Sequence, residues 1–234
     1  MIPRVLPLVA GLVPVFTVFT CYWIAIHTAG VPSCNPFLDG CTSVSATGRY
    51  EPASYLFKGM MMPQSIVLSA YWLFNVGWLR ALERAKGGTG NGGVAIGVVG
   101  VTGSLFLILY VTFLGSEVPF YEFMRRYGVY LYFALNVIAQ LLLAYKVLPY
   151  ARAWAAPGLL RVTRLQLFLA WVPFAMGVLN LILKATLEES RPAENRIEWS
   201  FAILMQAYFL LTYWSWRETR FSAGFAVAEP GARG

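Results

Sequence analysis

Six stretches of the chain contain no Asp, Glu, Lys or Arg, and this feature constrains the fold most strongly. The stretches are residues 5–38, 59–79, 87–116, 127–145, 165–183 and 199–216. A helix rises about 1.5 Å per residue, so roughly 18 to 25 apolar residues cross the ~30 Å hydrocarbon layer of a bilayer. Only 12% of the residues are charged, against roughly 25% in soluble domains. We therefore predict an all-α, polytopic integral membrane protein.

The predicted spans form a single six-helix transmembrane domain over residues 1–220, followed by a cytoplasmic tail at 221–234. The spans cover approximately residues 5–27, 56–79, 94–114, 127–147, 165–183 and 199–216. The first span is longer than the roughly 7 to 15 apolar residues of a signal peptide. We therefore interpret it as a retained anchor.

Lys and Arg set the expected orientation, because short translocated loops are depleted in them. With the N-terminus in the cytoplasm, the inner segments hold eleven Lys and Arg against three Glu, and the outer segments hold seven against eight acids. Both termini are therefore expected to be cytoplasmic. The pI of about 9.5 then reflects inner-face arginines near anionic headgroups. No motif indicates a nucleic-acid partner.

Two of the three cysteines, Cys34 and Cys41, fall in the first outer loop, while Cys21 lies in the first span. A bridge between them would restrict the unfolded loop by about 2 to 3 kcal/mol in the chain-entropy model. Two free thiols remain the alternative, because spacing alone does not establish a bridge. A bridged loop would face an oxidising compartment, outside a bacterial inner membrane or inside a eukaryotic endomembrane.

All six predicted outer helix ends carry an ionisable side chain. These groups are His27, Lys58, Glu117, Glu122 with Arg125 and Arg126, Lys184 with Glu188, and Glu198. The inner ends are dominated by bases, which topology and lipid charge explain. A mixed set of acids and bases converging on one rim instead indicates a hydrogen-bonded polar site. Solvated caps and snorkelling side chains are the alternative interpretation.

The outer residues suggest two kinds of site. A lipid headgroup site would use Lys58, Glu117, Glu122, Arg125, Arg126 and Glu198, with His27 and Ser45 adding to its polar lining. An intramembrane acyltransferase or hydrolase would draw its catalytic residues from His27, Ser43, Ser45 and Glu198, with a serine as nucleophile and His27 or a carboxylate as base. No spacing demands a catalytic triad. A membrane scaffold or small-solute channel is a third alternative.

Other motifs favour structure over chemistry. The single histidine, and the lack of His-Glu-x-x-His or paired Cys-x-x-Cys motifs, argue against a metal site, and no cofactor is expected. Small residues on one face of the third span suit close helix packing: Gly97, Gly100 and Ser104. Amide side chains within the spans are interpreted as hydrogen-bonding links between helices: Asn75, Asn136, Gln140, Asn180 and Gln206.

Short motifs around the outer loops carry a family resemblance. The first outer loop reads Cys34-Asn35-Pro36, Ser43-Val44-Ser45-Ala46 and Arg49-Tyr50-Glu51-Pro52, before a helix opening Tyr55-Leu56-Phe57-Lys58. Ser116-Glu117 through Glu122 precede the fourth span, and Glu198-Trp199 open the last one. This pattern resembles the Frag/DRAM/Sfk family of six-span membrane proteins. That family includes the Golgi factor that remodels lipids of GPI anchors, the damage-regulated autophagy modulators and a yeast lipid-asymmetry regulator.

The resemblance implies a function connected with membrane lipids: either remodelling of acyl chains, or sensing and distributing lipids between leaflets. The expected partner is a membrane phospholipid or glycolipid; protein partners are not indicated. The sequence departs from the family at two places. Arg125, Arg126 and Tyr127 stand where a histidine is expected near the fourth span, and Lys58 is followed by methionines rather than by a histidine. The resemblance therefore implies neither a histidine-dependent mechanism nor a GPI substrate.

Overall fold

The structure is a computed structural model that describes residues 2–28, 30–90, 92–186 and 190–222, with side chains from residue 5 onward. These ranges contain seven α-helices and no strand, which confirms the all-α prediction. The helices are α1 (Ile2–His27), α2 (Val44–Thr47), α3 (Ala53–Ala85), α4 (Val94–Thr112), α5 (Pro119–Ala153), α6 (Pro157–Thr186) and α7 (Arg191–Glu218). Glu188 and the tail residues 223–234 lie outside the described residues.

Within the described residues, four helices are long and apolar enough to cross a membrane: α1 from Val5 onward, α4, α5 and α6. α3 and α7 are also long, and they contain the predicted segments 56–79 and 199–216. Their hydropathy is lower because they carry buried polar side chains, such as Gln64 and Asn75 in α3 and Gln206 and Thr212 in α7. α4 ends at Thr112, two residues before the predicted end of its span.

The six long helices form a closed ring. Each of α1, α3, α4, α5 and α6 packs against the next long helix along the chain, and α7 packs back against α1. The single-turn α2 contacts α1 and α7. We call the end of the ring that carries the connections after α1, α4 and α6 the rim.

Glycines allow α4 to approach both of its neighbours closely. A Cβ atom on Gly100 would overlap Trp72 of α3, and one on Gly97 would overlap Val76. This confirms the predicted packing face of α4. On the other side, a Cβ atom on Gly128 of α5 would lie 2.6 Å from the backbone nitrogen of Tyr110. At Gly128 the backbones of α4 and α5 are therefore in direct contact.

Two of the predicted amide links are confirmed. Trp72 Nε1 donates to Asn136 Oδ1 at 2.9 Å, joining α3 to α5. Gln140 Nε2 donates to the backbone oxygen of Met205 at 3.1 Å, joining α5 to α7. The side-chain oxygens of the other three amides, Asn75, Asn180 and Gln206, have no hydrogen-bond partner in the described part of the chain.

A disulfide and hydrogen bonds to two helices hold the connection between α1 and α3 in place at the rim. Cys34 and Cys41 form a disulfide, as predicted. The Tyr22 hydroxyl on α1 donates to the backbone oxygen of Cys34 at 2.6 Å and accepts from its nitrogen at 3.1 Å. Trp199 Nε1 on α7 donates to the backbone oxygen of Thr42 at 3.0 Å. The loop is thus attached to the first and last helices of the ring.

Candidate functional site at the rim

A chain of hydrogen bonds at the rim joins α2, α4 and α7. Tyr110 of α4 donates its hydroxyl to Ser45 Oγ at 2.9 Å. Ser45 Oγ and the Ser45 backbone N–H both donate to Glu198 Oε1, each at 3.2 Å. We call Ser45, Tyr110 and Glu198 the rim cluster. Two predicted candidates, Ser45 and Glu198, thus meet although 153 positions separate them in the sequence.

The local fold of α2 positions Ser45. Ser43 caps this turn, because its Oγ accepts a hydrogen bond from the backbone nitrogen of Ala46 at 3.1 Å. The cap fixes the turn in which the Ser45 N–H and hydroxyl both reach the same carboxylate oxygen. The described role of Ser43 is therefore to support the rim cluster from one side.

The electrostatic setting of Glu198 combines burial with nearby cations. Glu198 immediately precedes the predicted membrane segment 199–216. Burial raises the pKa of its carboxyl above the ordinary value, while the hydrogen bonds from Ser45 and the charges of Lys184 and Arg125 act in the opposite direction. A carboxyl with a raised pKa holds its proton to higher pH, so Glu198 is a stronger proton acceptor than an exposed glutamate.

The first turns of α5, before the predicted span at 127–147, carry a second charged group. Glu122 Oε1 accepts a hydrogen bond from Arg126 at 2.6 Å and lies 3.4 Å from Arg125. The bond and charge of Arg126 lower the pKa of the Glu122 carboxyl. The Arg125 side chain is only 14% exposed, compared with 61% for Arg126. Glu122 is thus paired mainly with the outer arginine, while Arg125 faces inward.

Lys184 links the rim end of α6 to α5 and α7. Its Nζ donates to the Tyr130 hydroxyl at 2.6 Å and lies 3.0 Å from Glu194 Oε2. Ser190 donates to the other carboxylate oxygen of Glu194. The sequence prediction groups Lys184 with Glu188, which lies outside the described residues; the acid that the structure places beside Lys184 is Glu194, in the same outer segment.

Three predicted rim residues make no contact with the rim cluster through hydrogen bonds. His27 is exposed, and its Nδ1–H donates to the backbone oxygen of Trp23 at 2.7 Å. Glu117 is exposed and Lys58 is partly exposed. Among the described residues, neither Lys58 nor Glu117 forms an ion pair. Both are therefore available to a charged molecule arriving at the rim.

A narrow apolar cleft lies inside the ring, next to the rim cluster. Its free volume is about 30 Å³, and most of its wall is hydrocarbon. Tyr110 belongs to both the cluster and the cleft wall. Val44 and Trp199, the chain neighbours of Ser45 and Glu198, also line the cleft. Further wall residues come from α1, α3, α5 and α7: Val15, Val18, Phe57, Met61, Phe133 and Ile203.

Two polar side chains also line this cleft. Tyr132 is 2% exposed and Gln206 is 4% exposed. Neither the Tyr132 hydroxyl nor Gln206 Oε1 makes a well-formed hydrogen bond among the described residues, but the two side chains lie within hydrogen-bonding reach of each other. Leaving a buried polar atom unpaired costs about 1 to 3 kcal/mol. Sequence reasoning had interpreted Gln206 as a helix link and had not singled out Tyr132, which looks like an ordinary core aromatic.

In residues 2–28, 30–90, 92–186 and 190–222, no group of three or more His, Cys, Asp or Glu side chains is close enough to hold a metal ion. The polar groups described above at the rim are hydroxyls, carboxylates and basic side chains.

Comparison with known families establishes the relationship suggested by the outer-loop motifs. The family model described as the Frag1/DRAM/Sfk1/Cwh43P N-terminal domain matches residues 4–219. The chain belongs to this family. The matched region includes the rim cluster and the cleft, and family membership agrees with a multi-pass membrane protein built from apolar helices. No curated protein and no solved structure matches the chain significantly.

Proposed function

We propose that this protein binds a membrane lipid at the rim, with the headgroup on the charged rim residues and hydrocarbon in the cleft. The observation that carries the proposal is the contiguity of the cleft and the rim cluster, which share Tyr110. An amphipathic ligand needs such a junction between apolar wall and polar groups. Lys58, Arg125 and Arg126 supply positive charge for a phosphate, and Glu117, Glu122 and Glu198 accept hydrogen bonds from headgroup hydroxyls or amines.

The proposal includes six crossings, with both termini in the cytoplasm and the rim on the opposite side of the membrane. The buried polar side chains of α3 and α7 are compatible with crossing because they lie inside the ring rather than against lipid. The excess of Lys and Arg on the inner segments supports this orientation. The Cys34–Cys41 disulfide supports an oxidising compartment at the rim.

Native mass spectrometry of detergent-purified protein tests the headgroup contact. We expect Lys58→Gln and Arg126→Gln each to reduce the co-purified lipid about fivefold, because a charged hydrogen bond contributes on the order of 1 kcal/mol or more. Lys146→Gln is the matched control, since Lys146 is exposed at the opposite end of α5. Equal lipid retention in wild type, both rim variants and the control would rule out a headgroup site at the rim.

A second candidate function, lipid ester hydrolysis or acyl transfer, is favoured by the 3.2 Å hydrogen bond from Ser45 Oγ to Glu198 Oε1. In that mechanism Glu198 removes the Ser45 proton as Oγ attacks an ester carbonyl. The ester C–O bond then breaks, and the leaving alcohol takes the proton from Glu198. Water or an acceptor alcohol afterwards releases the acyl group from Ser45.

Lipidomics of cells expressing Ser45→Ala distinguishes the two functions. An enzyme leaves one substrate lipid accumulating and its product depleted, whereas a binding protein does not produce such a pair. Ser69→Ala serves as the control, because the Ser69 hydroxyl bonds only within α3, to the backbone oxygen of Ser65. A lipid profile identical in both variants excludes the catalytic role of Ser45.

A further inference from the structure

Two arginines at the rim carry positive charge that the described residues neutralise only in part. We propose that Arg49 and Arg125 together bind one phosphate group, so that the site selects a phospholipid over an uncharged glycolipid. This inference rests on the proposed lipid-binding function, adds Arg49 to the site and specifies the headgroup.

Arg125 is mostly buried and has few hydrogen-bond partners. Its side chain is only 14% exposed, and its guanidinium makes one hydrogen bond in the described part of the chain, a long one of 3.4 Å to Glu122 Oε1. A guanidinium has five N–H groups to donate. The same carboxylate oxygen accepts the shorter bond, at 2.6 Å, from Arg126. Most of the donor capacity of Arg125 is therefore unused, while part of the side chain stays accessible.

The backbone around Arg49 is held between two neighbouring elements. A Cβ atom on Gly48, the preceding residue, would overlap the Phe57 ring of α3. A Cβ atom on Gly115, in the α4–α5 connection, would lie 3.0 Å from the backbone oxygen of Arg49. Arg49 is therefore fixed beside the connection that leads into α5, the helix that carries Arg125.

The charges of the two arginines act on each other. Burial and the charge of Arg49 lower the pKa of the Arg125 guanidinium. Arg49 is partly exposed and forms no ion pair among the described residues. Glu198 accepts its hydrogen bonds from Ser45 rather than from an arginine. Because like charges repel, an anion that contacts both guanidinium groups relieves an unfavourable interaction.

The chemistry of this pair favours phosphate over the other groups of a lipid headgroup. Phosphate oxygens accept hydrogen bonds from both guanidinium groups, often two from one arginine. A sugar hydroxyl adds no negative charge, and a headgroup amine adds a positive one. The charge of Arg125 also acts on the Glu198 carboxyl. A phosphate bound to Arg125 therefore lies beside the rim cluster, where the headgroup of a lipid in the cleft is expected.

The test compares two lipids with the same dioleoyl tails: phosphatidylglycerol, and a monogalactosyl diacylglycerol that carries hydroxyls but no phosphate. Their affinities are measured with delipidated protein in detergent, by the concentration dependence of the melting temperature. We expect wild type to bind phosphatidylglycerol about ten- to hundredfold more tightly, as hydrogen bonds to charged groups would give. Binding of both lipids with equal affinity overturns the inference and leaves the proposed function standing.

Variants locate the phosphate. Arg49→Gln and Arg125→Gln are each expected to bind phosphatidylglycerol about tenfold more weakly and the galactolipid as wild type does. A purely structural role would weaken both lipids equally, and that result overturns the inference. If Arg125→Gln does not fold, Arg49→Gln decides alone, because Arg49 is partly exposed. Lys146→Gln, at the opposite end of α5, is the control and is expected to keep the preference.

The remaining outcomes separate this inference from the function on which it rests. A preference that survives in both arginine variants places the phosphate elsewhere, and overturns the inference alone. Inorganic phosphate is the third probe, and we expect it to compete with phosphatidylglycerol only at a far higher concentration than the lipid, since it has no tails. Arginine-dependent binding of inorganic phosphate without binding of either lipid supports the phosphate site and contradicts the proposed function. If none of the three probes binds to wild type, both proposals are wrong.

Discussion

Ser45 connects parts of the chain that lie far apart in sequence. Its hydroxyl accepts from Tyr110 and donates to Glu198, so one small side chain uses both of its hydrogen-bonding functions at the meeting point of α2, α4 and α7. The backbone N–H of Ser45 adds a second bond to the same carboxylate. The rim cluster therefore has structural consequences that can be measured whether or not the rim catalyses a reaction.

Removing the Ser45 hydroxyl leaves the Tyr110 hydroxyl without its acceptor. It also removes one of the two hydrogen bonds from Ser45 to Glu198. We expect Ser45→Ala to lower the free energy of unfolding by about 1 to 3 kcal/mol, the range for an unsatisfied buried polar group. Denaturant unfolding in detergent micelles, followed by tryptophan fluorescence, measures this change. Ser33→Ala, at an exposed position of the same loop, is expected to unfold like wild type; an equal loss of stability in both variants would contradict the argument.

At the scale of helices, the contact between α4 and α5 depends on how closely two backbones approach. Gly128 of α5 lies against the backbone of Tyr110, and Gly103 of α4 against Asn136. A side chain at Gly128 would have to displace the backbone of α4, because the nearest atoms are backbone atoms of Leu109 and Tyr110; at Gly103 the nearest atoms belong to the side chains of Asn136 and Leu135. Because Tyr110 also belongs to the rim cluster and lines the cleft, the spacing of these two helices affects the site as well.

We expect Gly128→Ala to lower the melting temperature, since its Cβ atom would lie 2.6 Å from the Tyr110 backbone nitrogen. Overpacking of this kind typically costs about 1 to 3 kcal/mol. Gly77→Ala in α3 is the matched control, because no atom lies within 4 Å of its added Cβ atom. The control should be neutral or slightly stabilising, since Ala favours a helix over Gly by up to about 1 kcal/mol. A melting temperature for Gly128→Ala at or above that of the control would refute the backbone contact.

The sequence predicted the interiors of the long helices better than their ends. A charge-free stretch predicts the part of a helix that can lie in the membrane. The helix itself can extend past the membrane boundary when hydrogen bonds or ion pairs stabilise its polar end turns. α5 begins at Pro119 instead of residue 127, because Pro suits the first turn and Glu122 pairs with Arg125 and Arg126 one turn later. α4 stops early, at Thr112, where the chain turns toward Gly115 with a positive φ of 90°.

Only those site residues that are polar and lie at predicted helix ends could be predicted from the sequence. Ser45 and Glu198 stood out as polar groups at predicted helix ends, yet no local pattern reveals that they meet. Tyr110 and Tyr132 were missed because aromatic residues are common in membrane helices, and only the folded structure distinguishes a tyrosine with a polar role. Cys34 and Cys41 were predictable because a disulfide leaves a composition signal in a single loop.

For the molecule as a whole, the number of crossings can be decided by labelling. Six crossings with a cytoplasmic N-terminus place the α3–α4 connection inside and the α4–α5 connection outside. If only α1, α4, α5 and α6 crossed, these two connections would exchange sides. Helix length and hydropathy alone favour crossings by α1, α4, α5 and α6. The closed ring of six long helices favours six crossings.

We expect Ser116→Cys to react with a membrane-impermeant maleimide on spheroplasts, and Gly88→Cys to react only after lysis. The wild-type chain provides the background, because Cys34 and Cys41 are bridged and Cys21 is buried. The reverse pattern would contradict six crossings with a cytoplasmic N-terminus. Labelling of both positions before lysis would contradict either topology.

The ring closes through α7, which follows the other five long helices along the chain, and this order has a consequence for biogenesis. Glu198, Trp199 and Gln206 all belong to α7, so a nascent chain that has emerged only as far as α6 has neither a finished rim cluster nor a complete cleft. Binding of a lipid at the proposed site would then have to follow the synthesis of α7. A lipid bound in the complete ring would then stabilise the contact between α1 and α7. Chains truncated before α7 would lack this bound lipid.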